Sequence, residues 1–397
     1  MIPSVIIVLC LIYVLFVRRQ GDFFTLAIFS SSLYFMPVVF GYTWYIQDKR
    51  DVFHEITPEM NIFYAIFLAV LLIVVCVNDL AVNNRKKIIL LENRSFSYIY
   101  YISISIFVIW IFSNANDIFS GSKENFGTLY NIKTISCVTS CVLAFTNKKI
   151  IWFFIFLAVN SFDVYSGNRE SIVFSSLAIF IFSILRQDRM VLFRQFKIIT
   201  LLFCLTMMLL VYKFIGAAVI GKNWELVVRR LLDFDFYFDS ITKSEPFITQ
   251  TLFYYATNKD WVFDGDIFMN LLNIINPLNI FSSTEIVSVS DVINEYMSHV
   301  NYGFASNLLA ESYLIGGKFG IFFAALLYAG MPLALNMLFR FLDNELLRVI
   351  VVISGVVLVF FVHRAGIEYT IILVKRFVLF GVGLYAMNTL LRFMAKR

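Results

Sequence analysis

Apolar runs of about 15 to 23 residues recur along this whole chain, each long enough to cross or nearly cross a lipid bilayer. That recurrence limits the fold more than any other feature, and the composition agrees with it. Of 397 residues, 60% are hydrophobic and 15% charged, with 45 Phe and a mean hydropathy of +0.81. A soluble chain carries roughly 25% charged residues. The sequence therefore predicts an all-α, polytopic integral membrane protein forming a single membrane domain over 1–397. The net charge of +5 is no sign of a nucleic-acid partner, because the basic residues sit in short loops beside the runs.

Eleven spans are predicted, at about 2–17, 23–45, 60–77, 97–113, 129–146, 150–165, 171–185, 198–217, 319–338, 349–362 and 367–391. One set of alternate loops holds Arg18 and Arg19; Arg85, Lys86, Lys87 and Arg94; Lys148 and Lys149; Arg186, Arg189, Arg194 and Lys197; Arg340 and Arg348; and Arg392, Lys396 and Arg397. The opposite short loops carry Lys49 and Arg50 among four acids, then Lys123, Arg169 and Arg364. The richer set is cytoplasmic by the positive-inside rule, which puts the N-terminus outside and the C-terminus inside. Apolar residues begin at Ile2 with no charge before them, and Arg18 and Arg19 follow the run. That order predicts an uncleaved first span rather than a secretory signal.

Residues 218–318 form a long outer loop, which at that length should carry structure of its own. Trp224 to Asp239 can form an amphipathic helix with Arg229 and Arg230 beside its apolar positions. Phe247 to Ala256 and Phe268 to Phe281 are apolar enough to lie on the bilayer surface or against the spans.

Several kinds of chemistry find no support. The five cysteines (Cys10, Cys76, Cys137, Cys141 and Cys204) all lie inside apolar runs, where they read as small packing residues rather than a disulfide framework. No H-E-x-x-H, Walker loop or G-x-S-x-G is present. His54, His299 and His363 fall in separate outer loops. Asp48, Asp51, Glu55 and Glu59 around His54 are interleaved with Lys49 and Arg50, as on a solvated face. No metal site is predicted from them.

The stretch Asn294 to Gly320, NEYMSHVNYGFASNLLAESYLIGGKFG, starts polar at His299 and Asn301 and passes Glu311. It reaches Gly316, Gly317 and Gly320, then enters an apolar run. Polar groups at such a seam stay hydrated on one side while a lipid-borne substrate reaches them from the other. Two further clusters carry charge at span ends. SGNRES, Ser166 to Ser171, sets Arg169 after Gly167 at the start of a span. HRAGIEYTIILVKR puts His363 and Arg364 in a short outer loop, with Lys375 and Arg376 roughly 12–15 Å below the outer surface. Two adjacent cations at that depth cannot both face lipid, so at least one should line a polar cavity. A snorkelling arginine at Arg169 and a structural i, i+4 pair from Arg364 to Glu368 are the plainer readings of these charges.

In these segments the chain resembles the Wzy-type O-antigen and capsule polymerases. Their pattern is a Gly- and Ser/Ala-containing stretch, then Glu, an aromatic and a G-x-x-G helix start, with a Gly-x-Arg turn opening another span and an Arg in the C-terminal span. The seam is also similar to the H-x-H-N segment of O-antigen ligases, with Met297 in place of the first histidine and Val300 in place of the Asn. The resemblance implies a fold like the GT-C-type membrane glycosyltransferases, in the bacterial cytoplasmic (inner) membrane. It implies an enzyme that polymerises polyprenyl-diphosphate-linked oligosaccharide repeat units on the outer face, independent of metal and cofactor. Its partners would be lipid-linked donor and acceptor, membrane lipids, and a chain-length regulator and flippase.

For that reaction Arg169, Arg364, Lys375 and Arg376, with Arg229 and Arg230 as lesser candidates, would bind the diphosphate, since an arginine offers a fixed fork of donors that keeps its charge. His299 would take the proton of the acceptor hydroxyl, and Glu311 would position it. Glu311 paired to Arg364 or Lys318, and His299 as an exposed loop residue, are the structural alternatives. Two other functions stay open: a ligase or other lipid-linked-sugar glycosyltransferase, and a lipid-linked oligosaccharide flippase.

Overall fold

Asp22 opens the helix Phe23–Tyr34 with a reciprocal cap. Its carboxylate accepts from the Phe24 N–H at 2.9 Å, and the Thr25 hydroxyl takes the Asp22 N–H at 3.4 Å. Thr57 caps the helix Pro58–Ala81 by accepting from the Met60 N–H at 3.2 Å, with Pro58 at the first helical position. Asn307 caps Leu308–Phe341 by accepting from the Leu309 N–H at 2.7 Å. The computed structural model describes residues 2–18, 21–48, 50–81, 97–114, 128–165, 168–185, 192–195, 200, 215–216, 218–219, 221–259, 261, 263–266, 276, 289–297 and 306–394.

Most of these residues are helical. Five stretches are long and apolar enough to cross a membrane: Phe23–Phe40, Pro58–Ala81, Leu129–Thr146, Leu308–Phe341 and Glu345–Leu391. Shorter apolar helices cover Ile2–Val17, Tyr98–Ser113, Ile150–Asp163 and Glu170–Leu185. The predicted span at 198–217 lies almost wholly outside the described residues.

The second span is shorter than its hydropathy predicts. The helix stops at Tyr34, a short helix Pro37–Phe40 follows, and Gly41 turns the chain at φ 84. Tyr42–Gln47 then pairs antiparallel, as β1, with Arg50–Glu55, as β2, and Trp44 lies opposite Phe53. Tyr, Thr, Trp and Ile are good strand formers, and an apolar run cannot by itself separate such a strand from a helix end.

The described residues fall into two compact units. The first comprises Met1–Lys86, Asp188–Ala334 and Val357–Lys375. Here the helix Glu245–Asn258 packs on β1, and the Tyr64 hydroxyl donates to Gln250 Oε1 at 2.7 Å. The 218–318 segment contributes Trp224–Leu232, Phe234–Thr242, Glu245–Asn258 and Val289–Tyr296. Asp233 divides the predicted amphipathic helix in two by ending the first piece and capping the second at the Asp235 N–H, 3.0 Å. Phe247 to Ala256 lies inside its helix, whereas Phe268 to Phe281 is outside the described residues apart from Asn276.

His363 also departs from expectation. It is 1% exposed, with ring centroids of Tyr328, Phe35, Tyr34 and Phe67 at 4.8, 5.3, 5.5 and 6.0 Å. Ser31 Oγ lies 3.3 Å from its Nε2. The chain is helical at His363 itself and breaks three residues later, at Gly366, and the ring is a core residue with Nε2 matched.

The second unit comprises Lys87–Gln187, Leu335–Val356 and Arg376–Arg397. Helices Ser97–Ser113, Thr128–Thr146, Ile150–Tyr165 and Glu170–Leu185 form its core with Glu345–Val356. Lys133 forms an ion pair with Asp163, whose other oxygen accepts from the Ser171 hydroxyl. The ammonium also lies over the Tyr130 and Trp110 rings at 4.3 and 4.4 Å.

Candidate functional site

Two helices break at glycines, and an acid from the first reaches the break in the second. In Leu308–Phe341, Gly317 takes φ 55 and ψ −136; in Val362–Met394, Gly366 takes φ 74 and ψ 179. Both conformations are open to glycine and costly for other residues. The break at Gly366 frees the N–H groups that follow it, and Glu311 Oε2 accepts the Ile367 N–H at 2.6 Å. A carboxylate at a helix N-terminus is favoured by the helix dipole as well as by the hydrogen bond. Gly366 has a second reason to be glycine: a Cβ there would collide with the Glu311 carboxyl group.

Glu311 is 2% exposed, and among the described residues its Oε1 has no hydrogen-bond partner. The Ser306 hydroxyl and the Glu368 N–H also face the carboxyl group without forming well-shaped bonds to it. Glu311 is thus held on backbone through Oε2, while its Oε1 has no well-shaped hydrogen bond among the described residues.

Neither structural alternative for Glu311 holds. Arg364 pairs with Glu245, and Lys318 pairs with Glu59 at 3.2 Å. Gly366 interrupts the helical turn that the expected i, i+4 pair of Arg364 and Glu368 needs. Glu368 faces the backbone N–H groups of Val289 and Ser290, at the start of Val289–Tyr296.

The other predicted residues are spread over the two units. In the first, Arg364 also stacks over Phe361 at 5.0 Å, and Lys375 Nζ donates to the Asn276 carbonyl at 2.7 Å. Arg229 and Arg230 occupy the last turn of Trp224–Leu232, with Arg229 exposed and Arg230 half-buried. In the second, Arg376 lines a cavity of about 410 Å³ with Asn131, Ile132, Ile135, Leu379 and Phe380. Arg169 is half-buried just before Glu170–Leu185, its carbonyl accepting from the Val173 N–H at 3.1 Å. His299 and Gly167 lie outside the described residues. Among the described residues, no cluster of three His, Cys, Asp or Glu side chains could hold a metal.

The acids around His54 behave as a solvated face. Asp51 pairs with Lys243 at 2.9 Å; that bond holds its carboxyl below the usual carboxylate range and raises the lysine. His54 is shifted down, first by burial and then by the Lys259 charge.

Sequence reasoning passed over Lys133 and Asp163, although a signal existed. Each is the only charged residue in its predicted span, and their signs are opposite. It also passed over the role of Gly366, whose meaning depends on Glu311, 55 residues earlier in the chain. No family model, curated protein or solved structure matches this chain.

Proposed function

We infer that the chain is a membrane glycosyltransferase that polymerises polyprenyl-diphosphate-linked oligosaccharide repeat units, as the Wzy-type polymerases it resembles do, in the cytoplasmic membrane of a bacterium. The observation that carries this reading is Glu311, a buried carboxyl group with a free oxygen at a broken membrane helix that also bears Arg364 and Lys375. In the reaction, an acceptor sugar hydroxyl attacks the anomeric carbon of the donor. The bond from that carbon to the phosphate oxygen breaks, and the diphosphate leaves with the electron pair. The hydroxyl proton passes to a base, and Glu311 or His299 would take it. Fixed cations neutralise the departing charge without nucleotide. An arginine in an otherwise largely apolar cavity, as at Arg376, suits an anionic headgroup on a hydrocarbon chain.

On this reading the eleven predicted spans and the GT-C-like architecture belong to the same proposal. Arg169→Ala and Arg376→Ala should each abolish polymer formation at normal protein abundance, and Arg→Lys should rescue poorly because a point charge lacks the fork. Disrupting the gene in its native cell and displaying the surface glycan on a gel separates the candidate functions. Loss of a polymerase leaves one repeat unit, loss of a flippase leaves none, and loss of a ligase leaves long polymer on the carrier lipid.

A further inference from the structure

The helix Trp224–Leu232, in the first unit, is apolar on two faces. One is covered: Val227 packs on Ile215 and Ala218, with Leu226 and Phe236 against the same cluster. The other carries Trp224, Val228, Leu231 and Leu232 at i, i+4, i+7 and i+8, the spacing of a single helical stripe, and all four are exposed. Leu232 is 82% exposed. The next helix, Phe234–Thr242, adds Phe234, 83% exposed, and Phe238 one turn on, also exposed. Exposed charge lies beside the stripe, on Lys222 before the helix and on Glu225 and Arg229, an i, i+4 pair of opposite sign.

Backbone groups at the corner between the two helices are matched internally. The Tyr237 hydroxyl donates to the Leu231 carbonyl at 2.9 Å, and the Asp233 N–H donates to the Arg230 carbonyl at 3.2 Å. Asp233 Oδ1 in turn accepts from the Asp235 N–H at 3.0 Å. A corner matched in this way can enter a medium poor in water, where each unmatched backbone group is costly. The patch also adjoins a membrane-length stretch. The Phe238 ring lies 6.0 Å from that of Phe40, the last residue of Phe23–Phe40, and Val39 beside it is exposed. Phe238 thus sits where a helix long and apolar enough to cross a bilayer comes to its end.

We propose that the corner formed by Trp224–Leu232 and Phe234–Thr242 is an interfacial membrane anchor. It seats the stripe and Phe234 among the lipid acyl chains next to the headgroups, while Lys222 and Arg229 reach the lipid phosphates on their long apolar stems. A continuous apolar stripe of this exposure is unfavourable in water, and an indole at its edge suits the boundary between headgroup and hydrocarbon. A partner protein would also cover an apolar face, but the contact of Phe238 with Phe40 puts the bilayer beside this one. The anchor requires only a membrane-embedded chain and stands whether or not that chain polymerises glycan.

The test uses full-length protein in nanodiscs of phosphatidylcholine and phosphatidylglycerol. The Trp224 signal is the difference in fluorescence between wild type and Trp224→Phe. Lipid brominated near the headgroup end of the acyl chain should quench it more than lipid brominated at the chain end. Leu232→Glu combined with Phe234→Glu charges two side chains that touch little protein, so the fold should survive. This double variant should at least halve the quenching by brominated lipid and raise the quenching by aqueous iodide, whereas Glu225→Gln should change neither. With a benzophenone amino acid at position 232, irradiation in native membranes should give adducts with phospholipid. If the double variant fails to fold, the wild-type depth profile and these adducts decide the matter. Wild-type quenching by iodide without quenching by brominated lipid, strongest quenching at the chain end, or unchanged quenching in a folded double variant would each overturn the proposal. So would adducts to a second copy of this chain or to another protein in place of lipid.

Discussion

Two buried acids in this molecule are held in opposite ways. Asp163 has a cation on one oxygen and a hydroxyl on the other, and rings close over the cation. Glu311 has no cation: the Ile367 N–H bonds one oxygen, and among the described residues the other has no well-shaped hydrogen bond. Matching every lone pair with a fixed partner makes Asp163 part of the scaffold. An acid held by backbone and left half-unmatched is stabilised enough to stay in place and still exchanges a proton. The difference teaches that burial of a charge in a membrane helix is not by itself a mark of chemistry; the unmatched atom is.

The largest effect should come from unpairing the scaffold acid. Lys133→Met strands the Asp163 charge and should cost about 3–5 kcal/mol, seen as loss of folded protein in the membrane. The double variant Lys133→Met with Asp163→Leu should recover most of that stability, because an apolar pair of similar volume replaces a buried ion pair at little cost. If the double variant stays as unstable as the single one, the pair does more than hold helices together.

Next comes the glycine that seats Glu311. Gly366→Ala puts a Cβ against the carboxyl group and forces a left-handed φ, at about 1–3 kcal/mol. Thermal unfolding should show that loss, and activity should fall further than in Gly383→Ala, where a Cβ meets open space. Equal activity in the two variants would separate Glu311 from the reaction.

The smallest effect belongs to the surface pair Asp51–Lys243. The folded state holds Asp51 low, so its contribution is present above the ordinary carboxylate range and is lost as acid protonates it. It holds Lys243 high, so that half is present at neutral pH and is lost as alkali deprotonates the lysine. Asp51→Asn should cost under about 1 kcal/mol at neutral pH and nothing in strong acid, as unfolding curves across pH would show.

Hydropathy made the apolar helices legible because the bilayer imposes one length on them, and Pro58 and Asp22 mark two of their starts. It misread 42–45, where aromatic and β-branched residues belong to a strand that pairs with Arg50–Glu55. Glu311 was legible as a polar residue at a seam, but its partner was not. Nothing local ties it to Gly366, and the obvious cations Lys318 and Arg364 are taken by Glu59 and Glu245. His54 was visible only as one residue among acids, because the rings packed around it, Tyr45, Tyr254 and Tyr255, come from other elements.

The most direct test of the account is elongation by purified protein reconstituted in vesicles with a polyprenyl-diphosphate-linked repeat unit. Wild-type protein should convert the single unit into a ladder of longer glycans. Glu311→Gln, which keeps the side chain's size and an oxygen for the Ile367 N–H, should fold normally and slow the ladder by a factor of about 10²–10⁴, the range a lost base explains. A wild-type preparation that carries the lipid-linked unit across the bilayer without lengthening it, or a Glu311→Gln ladder as fast as wild type, would contradict it.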